Sequence, residues 1–113
     1  MKKMHKLKKN HEFSMVFDKG SSYANRQFVL YVLKKPAQSE YRVGVTVSRK
    51  LGNAVTRNRM KRLLREVLKE LDDFLDPKKD YVIIARKPAL EMEYEELKKS
   101  FKHVLRKSGS RSF

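Results

Sequence analysis

Cysteine is absent from this sequence, so disulfides, thiolate metal sites and a cysteine nucleophile are all excluded, and a reducing, intracellular setting is expected. Long apolar runs are absent as well. None approaches the roughly 20 residues needed to span a bilayer, and the charged opening MKKMHKLKKN leads into no apolar segment of a secretory signal. Neither membrane insertion nor secretion is expected, and the cytoplasm is the expected location. Histidine is sparse: His5, His11 and His103 lie far apart, outside any metal-ligand spacing and without an identifiable serine or acid partner. Surface positions account for them. No catalytic group and no protein-held metal is expected.

Acidic residues are scarcest where the chain is most charged. Residues 1 to 65 hold 17 Lys and Arg against 3 acids, net +14, whereas residues 66 to 113 hold 11 against 10, net +1. The whole chain of 113 residues carries a formal charge of +15. A small soluble domain tolerates so much self-repulsion when a polyanionic partner relieves it. A mere solubility device would not concentrate the excess in one part. The length and a hydrophobic content of 40% suffice for a modest core without staples. A single RNA-binding domain over 1–113 is expected, with a flexible basic leader at 1–9 and a flexible tail at 108–113.

Hydrophobic periodicity lays out the elements. A first helix is predicted over 11–19, capped by Asn10, with Phe13, Val16 and Phe17 on one face and Gly20 as a left-handed stop. QFVLYVL at 27–33 and the alternating YRVGVTV at 41–47 read as strands, and the polar loop between them suggests an antiparallel hairpin. A further strand could fall within 41–50. After the turn signal of Gly52 and Asn53, Met60, Leu63, Leu64, Val67, Leu68 and Leu71 recur at the spacing of an amphipathic helix from Ala54 to Leu71. DYVIIA at 80–85 reads as a central strand buried on both faces. A last helix over 93–107 turns Leu97, Phe101, Val104 and Leu105 inward. Helices packed on one small sheet make an α+β or α/β sandwich.

The long helix carries the charge. Relative to Met60, its apolar stripe centres near about 20°, while Asn58, Lys61, Arg62, Arg65 and Lys69 fall between roughly 100° and 200°. Arg57 and Arg59 flank the first turns, where free N–H groups and the positive dipole end favour anions and disfavour cations. No acid occurs between Glu40 and Glu66 to offset them. An ordinary solvated face would mix signs at i, i+4; here Arg57, Lys61, Arg65 and Lys69 stack like charges, at a cost of a few tenths of a kcal/mol per pair. Arginine also suits bidentate phosphate contacts. A polyanion-binding ridge is the reading. The acids of DDFLDPKKD and EMEYEE (Asp72, Asp73 and Asp76; Glu91, Glu93, Glu95 and Glu96) sit at helix ends, where structural roles suffice.

The segment VSRKLGNAVTRNRMKRLLRE, Val47 to Glu66, resembles the RNR motif of the bacterial ribonuclease P protein component, with Arg57, Asn58 and Arg59 as its core. LKKNHEFSMVF at 7–17, SYANRQFVLY at 22–31 and DYVIIARKPA at 80–89 are similar to other parts of that family. The resemblance implies an α-β-β-β-α-β-α two-layer sandwich: a four-stranded sheet, three helices and a left-handed βαβ crossover, as in the second domain of a ribosomal small-subunit protein. Handedness statistics alone would favour a right-handed crossover. It implies that Arg49, Lys50, Arg57, Asn58, Arg59, Lys61, Arg62 and Arg65 bind RNA. It further implies two partners, a catalytic RNA subunit that holds most of the Mg²⁺ and the single-stranded 5′ leader of precursor tRNA. No obligate protein partner is expected.

By spacing alone, Phe13, Phe17 and Tyr31 read either as core or as a platform on which unpaired bases stack, beside cations such as Arg26 and Lys34. The resemblance favours the platform, in a leader-binding cleft of Phe13, Phe17, Arg26 and Tyr31. The expected function is that of a non-catalytic subunit of a ribonucleoprotein endonuclease. The competing expectation is a ribosomal or general RNA-binding protein with no part in cleavage; no helix-turn-helix pair or zinc finger favours DNA.

Overall fold

The segment around DYVIIA is apolar on both faces because it forms the centre of the sheet. The computed structural model describes residues 5–109. In chain order its elements are β1 (His5–Lys6), α1 (Asn10–Lys19), β2 (Ser21–Ala24), β3 (Phe28–Lys34), β4 (Arg42–Val47), α2 (Ala54–Glu70), β5 (Lys79–Ala85) and α3 (Tyr94–Lys107). The strands lie in the order β1-β4-β5-β3-β2. β5 pairs with β4 in parallel and with β3 antiparallel. Four strands and three helices thus give the expected α+β architecture, and the two-residue β1 adds a parallel edge beside Arg42 and Val43.

Two pairings differ from the sequence expectation. β3 and β4 do not form a hairpin, because β5 lies between them. The hairpin joins β2 to β3 instead, so the remaining strand lies at 21–24 rather than within 41–50. Its turn is built by Asn25, whose Oδ1 accepts the main-chain N–H groups of Gln27 (3.0 Å) and Phe28 (2.8 Å), the asparagine side-chain turn that closes short connections. β4 then reaches β5 through α2, as parallel neighbours require a crossover.

Alternation along the strands divides the side chains between two faces. Phe28, Leu30, Val32, Tyr81, Ile83 and Ala85 join Met60, Leu64, Val67 and Leu68 of α2 and Leu97, Phe101, Val104 and Leu105 of α3 in the main core. Val82, with Tyr31, Leu33 and Ile84 beside it, faces the other way into a small cluster with Val16 and Phe13 of α1 and Leu7. α1 therefore lies alone on the second face, so where it runs the two-layer sandwich gains a third layer. Leu7, expected in a flexible leader, is buried, and β1 precedes it. Residues 1–4 and 110–113 of the expected leader and tail lie outside the described residues.

The helix ends follow local chemistry. Asn53 Oδ1 caps α2 by accepting the N–H of Thr56 at 2.9 Å. Asn10 does not cap α1. It is the helix's first residue, and Glu12 Oε1 reaches back to the N–H groups of Lys8 (2.9 Å) and Lys9 (3.0 Å), as a capping-box acid does. Gly20 ends α1 in an extended conformation, φ −81°, rather than the left-handed one expected. Its missing side chain serves close packing, since a Cβ there would stand 2.5 Å from the Val16 carbonyl oxygen and 2.8 Å from that of Val32.

Candidate nucleic-acid interface

Strand register gives the second face of the sheet its layout. Gly44, Val82 and Tyr31 stand in one row across β4, β5 and β3, and α1 crosses the strands along that row. Phe13 rests on Gly44, where a Cβ would meet its ring at 2.3 Å. Val16 packs on Val82. Phe17 meets Tyr31 edge to face, with centroids 4.9 Å apart and planes at 86°. Phe17 is 39% exposed, and Phe13 and Tyr31 are half-buried. The first helix thus presents two aromatic rings at i, i+4, about 6 Å apart along its axis, with Tyr31 completing the set.

The next row, Thr46, Ile84 and Val29, faces the same way and is half-buried. It lies between the row under α1 and one end of the sheet. That end is cationic. Phe28, Val47 and Ala85 share the last paired row, so the β2–β3 turn with Arg26, the turn with Arg49 and Lys50, and the segment starting at Arg86 and Lys87 emerge together, all exposed. Arg86 also braces the hairpin, its Nη1 donating to the Asn25 carbonyl at 3.1 Å. Arg86 and Lys87 were missed by the sequence reading; their signal is the pair of cations directly after an apolar central strand. Arg26 stands at the hairpin tip rather than against the Phe17–Tyr31 pair, and Lys34 points to the face opposite Tyr31.

On α2, Asn58, Arg59 and Arg62 are exposed, and Arg57, Lys61 and Arg65 are half-exposed with their apolar stems against the fold. Arg57 Nε donates to the Gly52 carbonyl at 3.2 Å, holding it across the first turn. Neither these cations nor Arg49 and Lys50 make an ion pair with a described residue, whereas Arg42, Lys79 and Lys98 do. The ridge therefore keeps its charge available. Arg65 reaches the edge of β4, where it lines one groove with Lys6, Leu7, Phe13, Val43, Gly44 and Val45. Ridge and aromatic helix meet in that groove, and no acid lines it.

Acids elsewhere serve the fold. Tyr41 donates its hydroxyl to Asp72, Asp76 Oδ1 accepts from the Lys78 N–H at 2.8 Å, and Glu96 accepts from the Glu93 N–H at 3.3 Å. Among the described residues no three His, Asp or Glu side chains gather where they could hold a metal. Nor is any helix among them long and apolar enough to cross a membrane.

The ribonuclease P family model matches residues 1–109. The chain belongs to the ribonuclease P protein family. It is 60% identical over 109 residues to the ribonuclease P protein component of Bacillus cereus strain AH187, covering 96% of this chain and 95% of that protein. The Bacillus anthracis protein component is equally similar, with 92% of that protein covered. Among ribonuclease P proteins of known structure, that of Staphylococcus aureus superimposes with a TM-score of 0.85 at 42% identity, covering 94% of this chain and 96% of that one. The Thermotoga maritima protein gives 0.82 at 26% identity, covering 91% and 96%.

Proposed function

We propose that this ribonuclease P protein docks on the catalytic RNA subunit through the ridge of α2 and holds the single-stranded 5′ leader of precursor tRNA in the cleft beside α1. The observation that carries this reading is the groove in which Arg65 of the ridge and Phe13 of the aromatic helix stand together without an acid. Arginine forks and lysines on α2 suit the phosphates of a folded RNA. Phe13, Phe17 and Tyr31 suit unpaired bases, each stacked base contributing roughly 1 to 3 kcal/mol. The cations at the sheet end, Arg26, Arg49, Lys50, Arg86 and Lys87, suit the phosphates on either side.

Hydrolysis is left to the RNA, which holds the magnesium. The protein raises affinity for leader-bearing substrate and lowers phosphate repulsion, so less free magnesium is needed. It acts in the cytoplasm, without a further protein partner. The test is reconstitution: the protein is mixed with bacterial ribonuclease P RNA and precursor tRNA at low magnesium, and mature 5′ ends are counted. Stimulation that falls as the leader is shortened to a single nucleotide is the expected result. No stimulation sinks the proposal, and stimulation blind to leader length leaves only the ridge.

A further inference from the structure

The cleft depends on where α1 stands, yet little apolar surface holds it there. Among the described residues only Leu7, Val16 and Val82 are buried between α1 and the sheet, against a core of twenty residues on the other face. A cluster of charges adds a second, directional tie. Arg42 of β4 donates from Nε to Asp80 Oδ1 at 3.0 Å, from Nη2 to Asp80 Oδ2 at 2.6 Å, and from Nη1 to Glu12 Oε2 at 2.6 Å. Asp80 is 1% exposed and also accepts from Gln38 Nε2 at 3.0 Å. The second oxygen of Glu12 takes the N–H groups of Lys8 and Lys9. One guanidinium therefore ties the start of α1 to β4 and β5.

The placement of the cluster gives it a consequence for the cleft. Glu12 immediately precedes Phe13, and Arg42 lies two residues before Gly44, on which Phe13 rests. A buried ion pair seldom adds stability over an apolar pair of similar volume. What a planar fork supplies is direction, since it bonds only in one orientation. We propose that the Glu12–Arg42–Asp80 cluster is a positioning device that sets α1 over the sheet and thereby the discrimination of leader-bearing from leaderless RNA. The inference rests on the leader-binding reading above.

Glu12→Ala tests it without stranding a buried charge, because Arg42 keeps Asp80. In the reconstituted holoenzyme the preference for leader-bearing over leaderless RNA falls about fivefold, the low end of one lost base stack, while affinity for ribonuclease P RNA is unchanged. Glu12→Gln, which still accepts from Lys8 and Lys9, loses less. In the free protein the Gly44 α-proton resonances, displaced by the Phe13 ring, move towards their ordinary positions in Glu12→Ala, and those of β3 and β5 stay. Phe17→Ala separates this inference from the reading beneath it. If Phe17→Ala lowers the preference and a folded Glu12→Ala does not, the positioning role is overturned and the leader reading stands. If neither does, both fall. Parallel loss of ribozyme affinity and thermal stability in Glu12→Ala makes the cluster a general support and overturns the inference.

Discussion

At position 44 one hydrogen atom decides whether Phe13 can lie on the sheet. A Cβ there would come within 2.3 and 2.6 Å of two ring carbons, so Gly44→Ala must push the ring outward. Overpacking of this kind costs about 1 to 3 kcal/mol. Gly44→Ala is expected to melt lower and to lose affinity for leader-bearing precursor tRNA, with ribozyme binding retained; unchanged leader affinity would show that Phe13 does not carry a base. The sequence marks Gly44 only as one of the residues opposite Val43, Val45 and Val47. Nothing local to YRVGVTV says that an aromatic ring from residue 13 crosses above it. Arg65 was legible as part of a charged ridge, but its meeting with Phe13 depends on register between elements distant in the chain. The role of Arg42 was hidden for the same reason, because its partners lie 30 and 38 positions away.

Helix positions were legible because a 3.6-residue period is a local property; α2 and α3 begin and end within a residue of expectation. Strand partnership is not local. A polar loop between two strand-like runs reads as a hairpin, yet β5, apolar on both faces, displaces that pairing by burying itself between β3 and β4. On α2 the two exposure classes give a prediction. Arg62 is exposed and Arg65 lines the groove, so Arg62→Ala should lower the salt-dependence slope of ribozyme binding by about one unit. Arg65→Ala should do the same or appear instead as leader affinity; an unchanged slope in both would take the ridge off the RNA. α1 gives a second. Glu12 is held down to about 2 by the N–H groups of Lys9 and Lys8 and by Arg42, against an ordinary 4.5. A depressed carboxylate stabilises the fold above its unfolded value and loses that contribution as pH falls through the folded one. In the native protein the Phe13 ring-current displacement of Gly44 should therefore weaken as pH falls through about 2, while the stability contribution is lost between about pH 4.5 and 2; Glu12→Gln should show neither change.

For the whole molecule the same charge acts in opposite directions on folding and on binding. A net +15 on 113 residues means that the free protein works against its own repulsion, concentrated on residues 54–65 of α2 and the cationic sheet end, where the sequence holds no acid. Added salt screens that repulsion, with a Debye length near 10 Å at about 0.1 M, so the melting temperature of the free protein should rise with ionic strength. The complex responds the other way, because RNA phosphates already neutralise these cations and salt competes with them. A single-stranded RNA that binds only the folded form should raise the melting temperature at low salt, by an amount that grows with its free concentration, and this gain should shrink as salt is added. Melting curves of the protein with and without RNA, taken across a salt series, measure both slopes together. Curves that fall with salt in the absence of RNA would mean that the described ion pairs, Glu12–Arg42–Asp80 foremost, outweigh the repulsion. The excess charge would then be balanced within the fold and would need no polyanion to relieve it.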